Sequence, residues 1–187
     1  MKYGLLILGL SIILSCQTKE TQETGDNLIE RNTNNDRLEY IMSYRNRGAL
    51  DTIFMDIVER QTTDSFHIIK YRVHSDQGDE SPLEQTYRLP VNIGSISSEH
   101  LELVKETNMT FESKDYKILK YQLNVNNMED EESLLFYTSD FGIILFHWGT
   151  HRNSQRLIHT GDKQKDKTVY FLNDKIENDF DLIKTWD

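Results

Sequence analysis

Cysteine, proline and basic charge are all scarce in this 187-residue sequence. One cysteine allows no internal disulfide, and a chain of this length can build a core without one. Two prolines set against nine tyrosines and eight phenylalanines suit a packed sheet protein better than a disordered one. The 21 Lys and Arg residues face 31 Asp and Glu residues, a formal net charge of −10. So acidic a chain matches nucleic acid poorly, because phosphate binding needs a basic face, and it would not lie flat on anionic headgroups. Long apolar runs are absent too. The one run, residues 3–14, is well short of the roughly 20 residues that span a bilayer. Nucleophile and nucleotide signatures (G-x-S-x-G, G-x-x-x-x-G-K-[ST], G-x-G-x-x-G) do not occur, so no catalytic residue and no cofactor is assigned.

What is present begins at the N-terminus, MKYGLLILGLSIILSC. Lys2 precedes the apolar run, and the run breaks at Ser15-Cys16, after which the chain turns abruptly polar. A charged start, a short apolar stretch and a small residue before the break form a signal peptide. Ile13-Leu14-Ser15-Cys16 resembles the lipobox of bacterial lipoproteins. The resemblance implies that the Cys16 thiol carries diacylglycerol, that the peptide is cut before Cys16, and that the new amine is acylated. It further implies a bacterial cell-envelope protein held by its lipid on the outer membrane, with a periplasmic or surface face. At about 0.8 kcal/mol per buried methylene, several acyl chains hold a protein firmly.

Three regions follow: a signal peptide over 1–15, a lipidated tether over 16–35, and a single β-rich domain over 36–187. The tether is Thr, Glu, Asn and Gln with almost no apolar content. The fold class expected is α+β, mostly β: an antiparallel meander with an N-terminal helix and a C-terminal helical segment. Asn34 or Asn35 would cap the first helix, Leu38, Ile41, Met42 and Arg45 fall at helical spacing, and Gly48 sits at its end. Residues 51–60 and 65–74 read as a hairpin about a polar turn. Residues 86–89 read as a short strand, and 97–105 as either a short helix or a strand. Five strands are expected at 109–113, 116–125, 133–138, 142–148 and 155–160, with one turn at Lys114-Asp115 and another over 139–141. Alternation over 116–125 puts Leu119, Tyr121 and Leu123 on the core face and leaves Tyr116, Ile118 and Lys120 exposed. Residues 142–148 read as a strand buried on both faces, 168–172 as a last strand, and the end as a helix on the sheet.

Few constellations suggest chemistry. His147 and His151 stand four apart, and a hairpin of 155–160 on 142–148 could bring His159 near them, but a strand does not give the helical zinc spacing, so no metal is assigned. Glu129, Asp130, Glu131 and Glu132 are consecutive with no glycine, which suits a solvated loop rather than a calcium loop. Asp179 and Asp181 form a carboxylate pair with no geometry to define it. The aromatics Phe136, Tyr137, Phe141, Phe146, Trp148, Tyr170 and Phe171 read as core, or as the wall of an apolar cup.

These observations lead to three functional readings. The first is a non-catalytic envelope lipoprotein with a binding or assembly-accessory domain and an envelope protein as partner. The second is a carrier or chaperone of lipid-like or hydrophobic cargo, which requires a roomy apolar cavity. The third is a hydrolase, which requires a cleft of carboxylates or histidines with perturbed pKa values.

Overall fold

The computed structural model describes residues 29–30, 37–44, 48–74, 83–123, 133–148 and 153–183. In chain order the elements are β1 (Ile29–Glu30), β2 (Arg37–Tyr44), β3 (Gly48–Thr62), β4 (Phe66–His74), β5 (Leu83–Pro90), β6 (Leu101–Phe111), β7 (Lys114–Leu123), β8 (Ser133–Thr138), β9 (Gly142–Trp148), β10 (Asn153–His159), α1 (Lys163–Asn178) and α2 (Phe180–Ile183). All strand pairs are antiparallel. The order across the sheet is β5-β4-β3-β2-β10-β9-β8-β7-β6, with the short β1 on β3. Two meanders, β2 to β5 and β6 to β10, are therefore joined through β2 and β10.

The sheet curls until its halves face each other. Tyr71 on β4 accepts a hydrogen bond from Ile143 N on β9 (2.9 Å), and Tyr121 on β7 donates to Pro90 O at the end of β5 (3.0 Å). The His67 ring on β4 stacks on Tyr137 of β8 with centroids 5.2 Å apart. Inward residues follow from period two: Leu38 and Tyr40, Met55 and Ile57, Ile69 and Tyr71, and Leu101 and Leu103 are all buried. Residues 91–100 connect the two end strands. Gly94 N donates to Leu103 O, and Ile96 bridges to Glu102, so the first residues of β6 are covered.

Helix α1 lies on the outside of the β6–β10 half and buries Val169, Leu172 and Ile176. Asp162 begins it, accepting from Gln164 N (2.8 Å) and Lys165 N (3.1 Å). Asn173 ties it to the sheet by donating to Leu157 O (2.9 Å). Strand β8 thus has cover on both faces, and all six of its residues are buried. Most of β9 is buried too, as its near-continuous apolar run predicts.

Several expectations hold. The hairpin of 51–60 on 65–74 forms, with Thr62 opposite His67. The meander, the turn over 139–141 and the C-terminal helix are also present. Others are corrected. The expected N-terminal helix is strand β2. Leu38 and Tyr40 face inward two apart, and the ladders to β3 and β10 prevail over a helical spacing only a few residues long. The caps assigned to Asn34 and Asn35 lie outside the described residues. Residues 168–172 are not a strand but the middle of α1, since the alternation there also satisfies a helix stripe. The β6–β7 turn falls on Glu112 and Ser113 rather than Lys114-Asp115; both have positive φ, 47° and 67°, as a two-residue hairpin turn of type I′ requires. Residues 97–105, left open between helix and strand, are a turn leading into β6. On β7 both faces are covered. Tyr116 and Ile118 are buried, and Lys120 is only 7% exposed, because they share the outer face that α1 roofs.

Candidate functional site: a groove along an edge strand

Around the inward tyrosines, the interior of the curl is nearly filled. The ladder between β10 and β9 ends at Arg156 opposite Leu145, so Ile143 has no partner on that side. Two tyrosines stand in for the missing strand. Tyr40 donates to Ile143 O (2.8 Å) and Tyr71 accepts from Ile143 N (2.9 Å). Burial pushes both phenols well above their ordinary range and Tyr87 beside them up to about 12, so the cluster is neutral. Between Tyr40, Met55, Tyr71, Tyr87, Ile143, Phe146 and Gln155 the remaining cavity is about 20 Å³, close to what one water needs.

The histidines named from sequence do not converge. Strand pairing sets Ser154 opposite His147 and Arg156 opposite Leu145, which carries His159 further along β10. At about 3.3 Å per residue, His147 and His159 are on the order of 15 Å apart. His151 lies outside the described residues. Among those residues no three His, Cys, Asp or Glu side chains group as a metal site. His159 instead meets Asp166 of α1: its Nδ1 lies 2.6 Å from Asp166 Oδ2. The second oxygen of Asp166 accepts from Thr160 N (2.7 Å) and Thr160 Oγ1 (2.8 Å). That carboxylate orients the imidazole, but the nearby hydroxyl is turned to the carboxylate and not to the ring. The arrangement sews β10 to α1.

The Asp179–Asp181 pair resolves into a cap. Asp179 Oδ1 accepts from Asp181 N (3.0 Å) and Leu182 N (3.3 Å), starting α2. Glu129, Asp130, Glu131, Glu132 and Cys16 lie outside the described residues. Of the aromatics, Phe136, Tyr137 and Phe141 are core. Phe146 and Trp148 are half-buried and pack on each other, with centroids 4.4 Å apart. Tyr170 and Phe171 ride on α1, and Tyr170 is 71% exposed.

A space larger than the tyrosine-lined cavity borders β6. This strand ends the sheet, and beyond its covered first residues it pairs, among the described residues, only with β7. An open groove of about 600 Å³ runs between that edge and α1, lined by Thr107, Asn108, Met109, Thr110, Phe171, Lys175, Asn178 and Asp179. Met109 and Phe171 are its apolar lining, and Phe111 packs on Phe171 with centroids 4.7 Å apart. Lys175 holds its ammonium 5.7 Å from the Phe171 ring, and no carboxylate among the described residues pairs with it. Asp179, the one carboxylate of the groove, is occupied with the α2 cap. Nothing in the sequence marked β6 as an edge. Only the topology exposes its backbone groups.

Comparison with known proteins finds no matching family model, no similar characterised protein and no matching solved structure.

Proposed function

We propose that this chain is a lipid-tethered envelope domain without catalysis of its own, anchored through Cys16 and binding an extended segment of a partner protein along β6. The observation that carries the binding half of the reading is the groove. An unpaired strand edge offers alternating N–H and C=O groups, and an added strand would satisfy them. Met109 and Phe171 offer apolar contact for its side chains, and Lys175 favours one acidic residue in it. A carrier of lipid-like cargo would need a pocket of roughly 300 Å³ or more. The cavity among the interior tyrosines is about 20 Å³ and the pocket lined by Arg60 and Lys165 about 80 Å³, both well short of that, which weighs toward recognition on the surface.

Two experiments test the two halves. Intact mass spectrometry of the membrane fraction should give a triacylated chain beginning at Cys16, and Cys16→Ser should abolish it; an unmodified soluble chain would remove the anchor. For the groove, a photo-cross-linker at Asn108 in intact envelopes should label one partner at one segment. A synthetic copy of that segment should slow hydrogen exchange of the β6 edge amides, and Lys175→Glu should weaken its binding. A segment that binds and leaves those amides unprotected would refute the edge-strand mode.

A further inference from the structure

A second, smaller pocket lies at one end of the curled sheet, apart from the β6 groove. It has a volume of about 80 Å³ and is lined by Leu38, Ile57, Arg60, Asp140, Phe141, Thr160 and Lys165. That is several times the roughly 10–15 Å³ that one water occupies. Three elements build it: the inward face of β2 and β3, the β8–β9 turn, and the junction of β10 with α1.

Its charges are the unusual feature. Arg60 is half-buried, and its one hydrogen bond among the described residues goes to a neutral acceptor, Ser139 O at 2.6 Å. No carboxylate of the described residues lies within 4.0 Å of Arg60 or of Lys165. The pocket's own carboxylate, Asp140, is engaged by Lys114 at 2.5 Å. Asp166, behind Thr160, is taken up by His159, Thr160 N and Thr160 Oγ1. A guanidinium and an ammonium thus line one small space with a single carboxylate, Asp140, which Lys114 engages, and among the described residues neither cation has a carboxylate within 4.0 Å. Two like charges lining one pocket, Arg60 half-buried and Lys165 at its exposed rim, favour an anion between them. A half-buried arginine presents a planar fork that suits an oxyanion.

We infer that this pocket binds a small oxyanion through Arg60 and Lys165, a phosphate group being the best match to a fork beside a point charge. The same group occurs as free phosphate and as a lipid headgroup. The net acidity of the domain opposes approach to an anionic membrane and favours the free ion.

The probe is inorganic phosphate, titrated by calorimetry into the soluble Cys16→Ser chain at constant ionic strength, with chloride as the control. Saturable binding is expected, with a rise in melting temperature that chloride does not produce. Arg60→Met and Lys165→Gln should each weaken it by about tenfold or more, as loss of a charge-assisted contact does. Lys163→Gln and Lys167→Gln, which do not line the pocket, should leave it unchanged. Lys165 is exposed, so its variant keeps the test decisive even if Arg60→Met does not fold. Sedimentation with phosphatidylglycerol vesicles separates the sources: vesicle binding lost in Lys165→Gln, without binding of free phosphate, assigns the pocket to a headgroup. Binding of neither, or phosphate binding that Lys165→Gln leaves intact, overturns the inference.

Discussion

A Cβ placed on Gly142 would lie 2.7 Å from Tyr71 Oη and 2.8 Å from Ile69 Cδ1, and its φ is +83°. Both the space and the backbone therefore demand glycine where β9 begins. The neighbouring residue, Ile143, depends on two phenols for its backbone hydrogen bonds, so this corner joins the two halves of the curl. Gly142→Ala should destabilise the fold by about 2 kcal/mol or more, from clash and left-handed strain together. Tyr71→Phe leaves the Ile143 N–H buried without a partner, at a cost of about 1–3 kcal/mol. Urea midpoints for the two variants check both, and a change under about 0.5 kcal/mol, typical of a surface substitution, would contradict the argument.

At the scale of elements, the order within the β6–β10 half rests on α1. Its Asn173, 2% exposed, ties the helix to Leu157 O. Asn173→Ala removes that donor from a buried carbonyl and should cost about 1–3 kcal/mol by thermal or urea unfolding. The β6–β7 hairpin behaves the opposite way. Ser113 sits at φ 67°, a conformation that costs an ordinary residue about 1–2 kcal/mol, whereas glycine loses about 0.5–1 kcal/mol in chain entropy. Ser113→Gly should therefore raise stability by about 0.5–1 kcal/mol, because relief of strain outweighs the entropy. A lower melting temperature would show that the turn is not strained. The Ile, Val, Phe and Tyr content of 51–60 and 65–74, the near-continuous apolar run of 142–148 and the turn residues between the strands made these elements legible in sequence. The helix was less so, because Thr168, Val169 and Leu172 fit either period over so short a stretch.

At the scale of the whole molecule, folding disfavours the charged form of two histidines among the described residues. Burial lowers the pKa of His67 below its ordinary 6.5, with Lys117 adding to the effect and Glu106 opposing it. Burial alone lowers that of His147. For both, the unfolded chain binds a proton more readily than the folded one. Their contribution to stability is thus complete above pH 6.5 and is lost as pH falls from 6.5 toward the folded values. Urea midpoints between about pH 8 and about pH 5 should decline, and a double variant, His67→Gln with His147→Gln, should flatten that decline. A slope unchanged in the double variant would assign it to other groups. Among these, Glu84 and Asp162 have carboxyls held below 4.5 and 3.8 by their hydrogen-bond partners and act only in more acidic solution.

The chain's own order of residues determined what depends on neighbours in sequence. β-branched and aromatic content bounded by turn residues set most strands, a polar turn after residue 60 set the first hairpin, and the Ser15-Cys16 break carried the expectation of a lipid anchor. Tertiary structure decided what depends on distant partners. Leu38 and Tyr40 belong to a strand because β3 and β10 flank them, not because of any local preference. Lys120 is buried because α1 roofs its face, and β6 is an edge because the sheet ends there. Arg60 and Lys165 stand far apart in the chain and meet only because the sheet curls and α1 starts beside its open end. Residues that share a site in this way leave no periodic trace in sequence, since the curl that unites them is a sum of small twists over nine strands on one path.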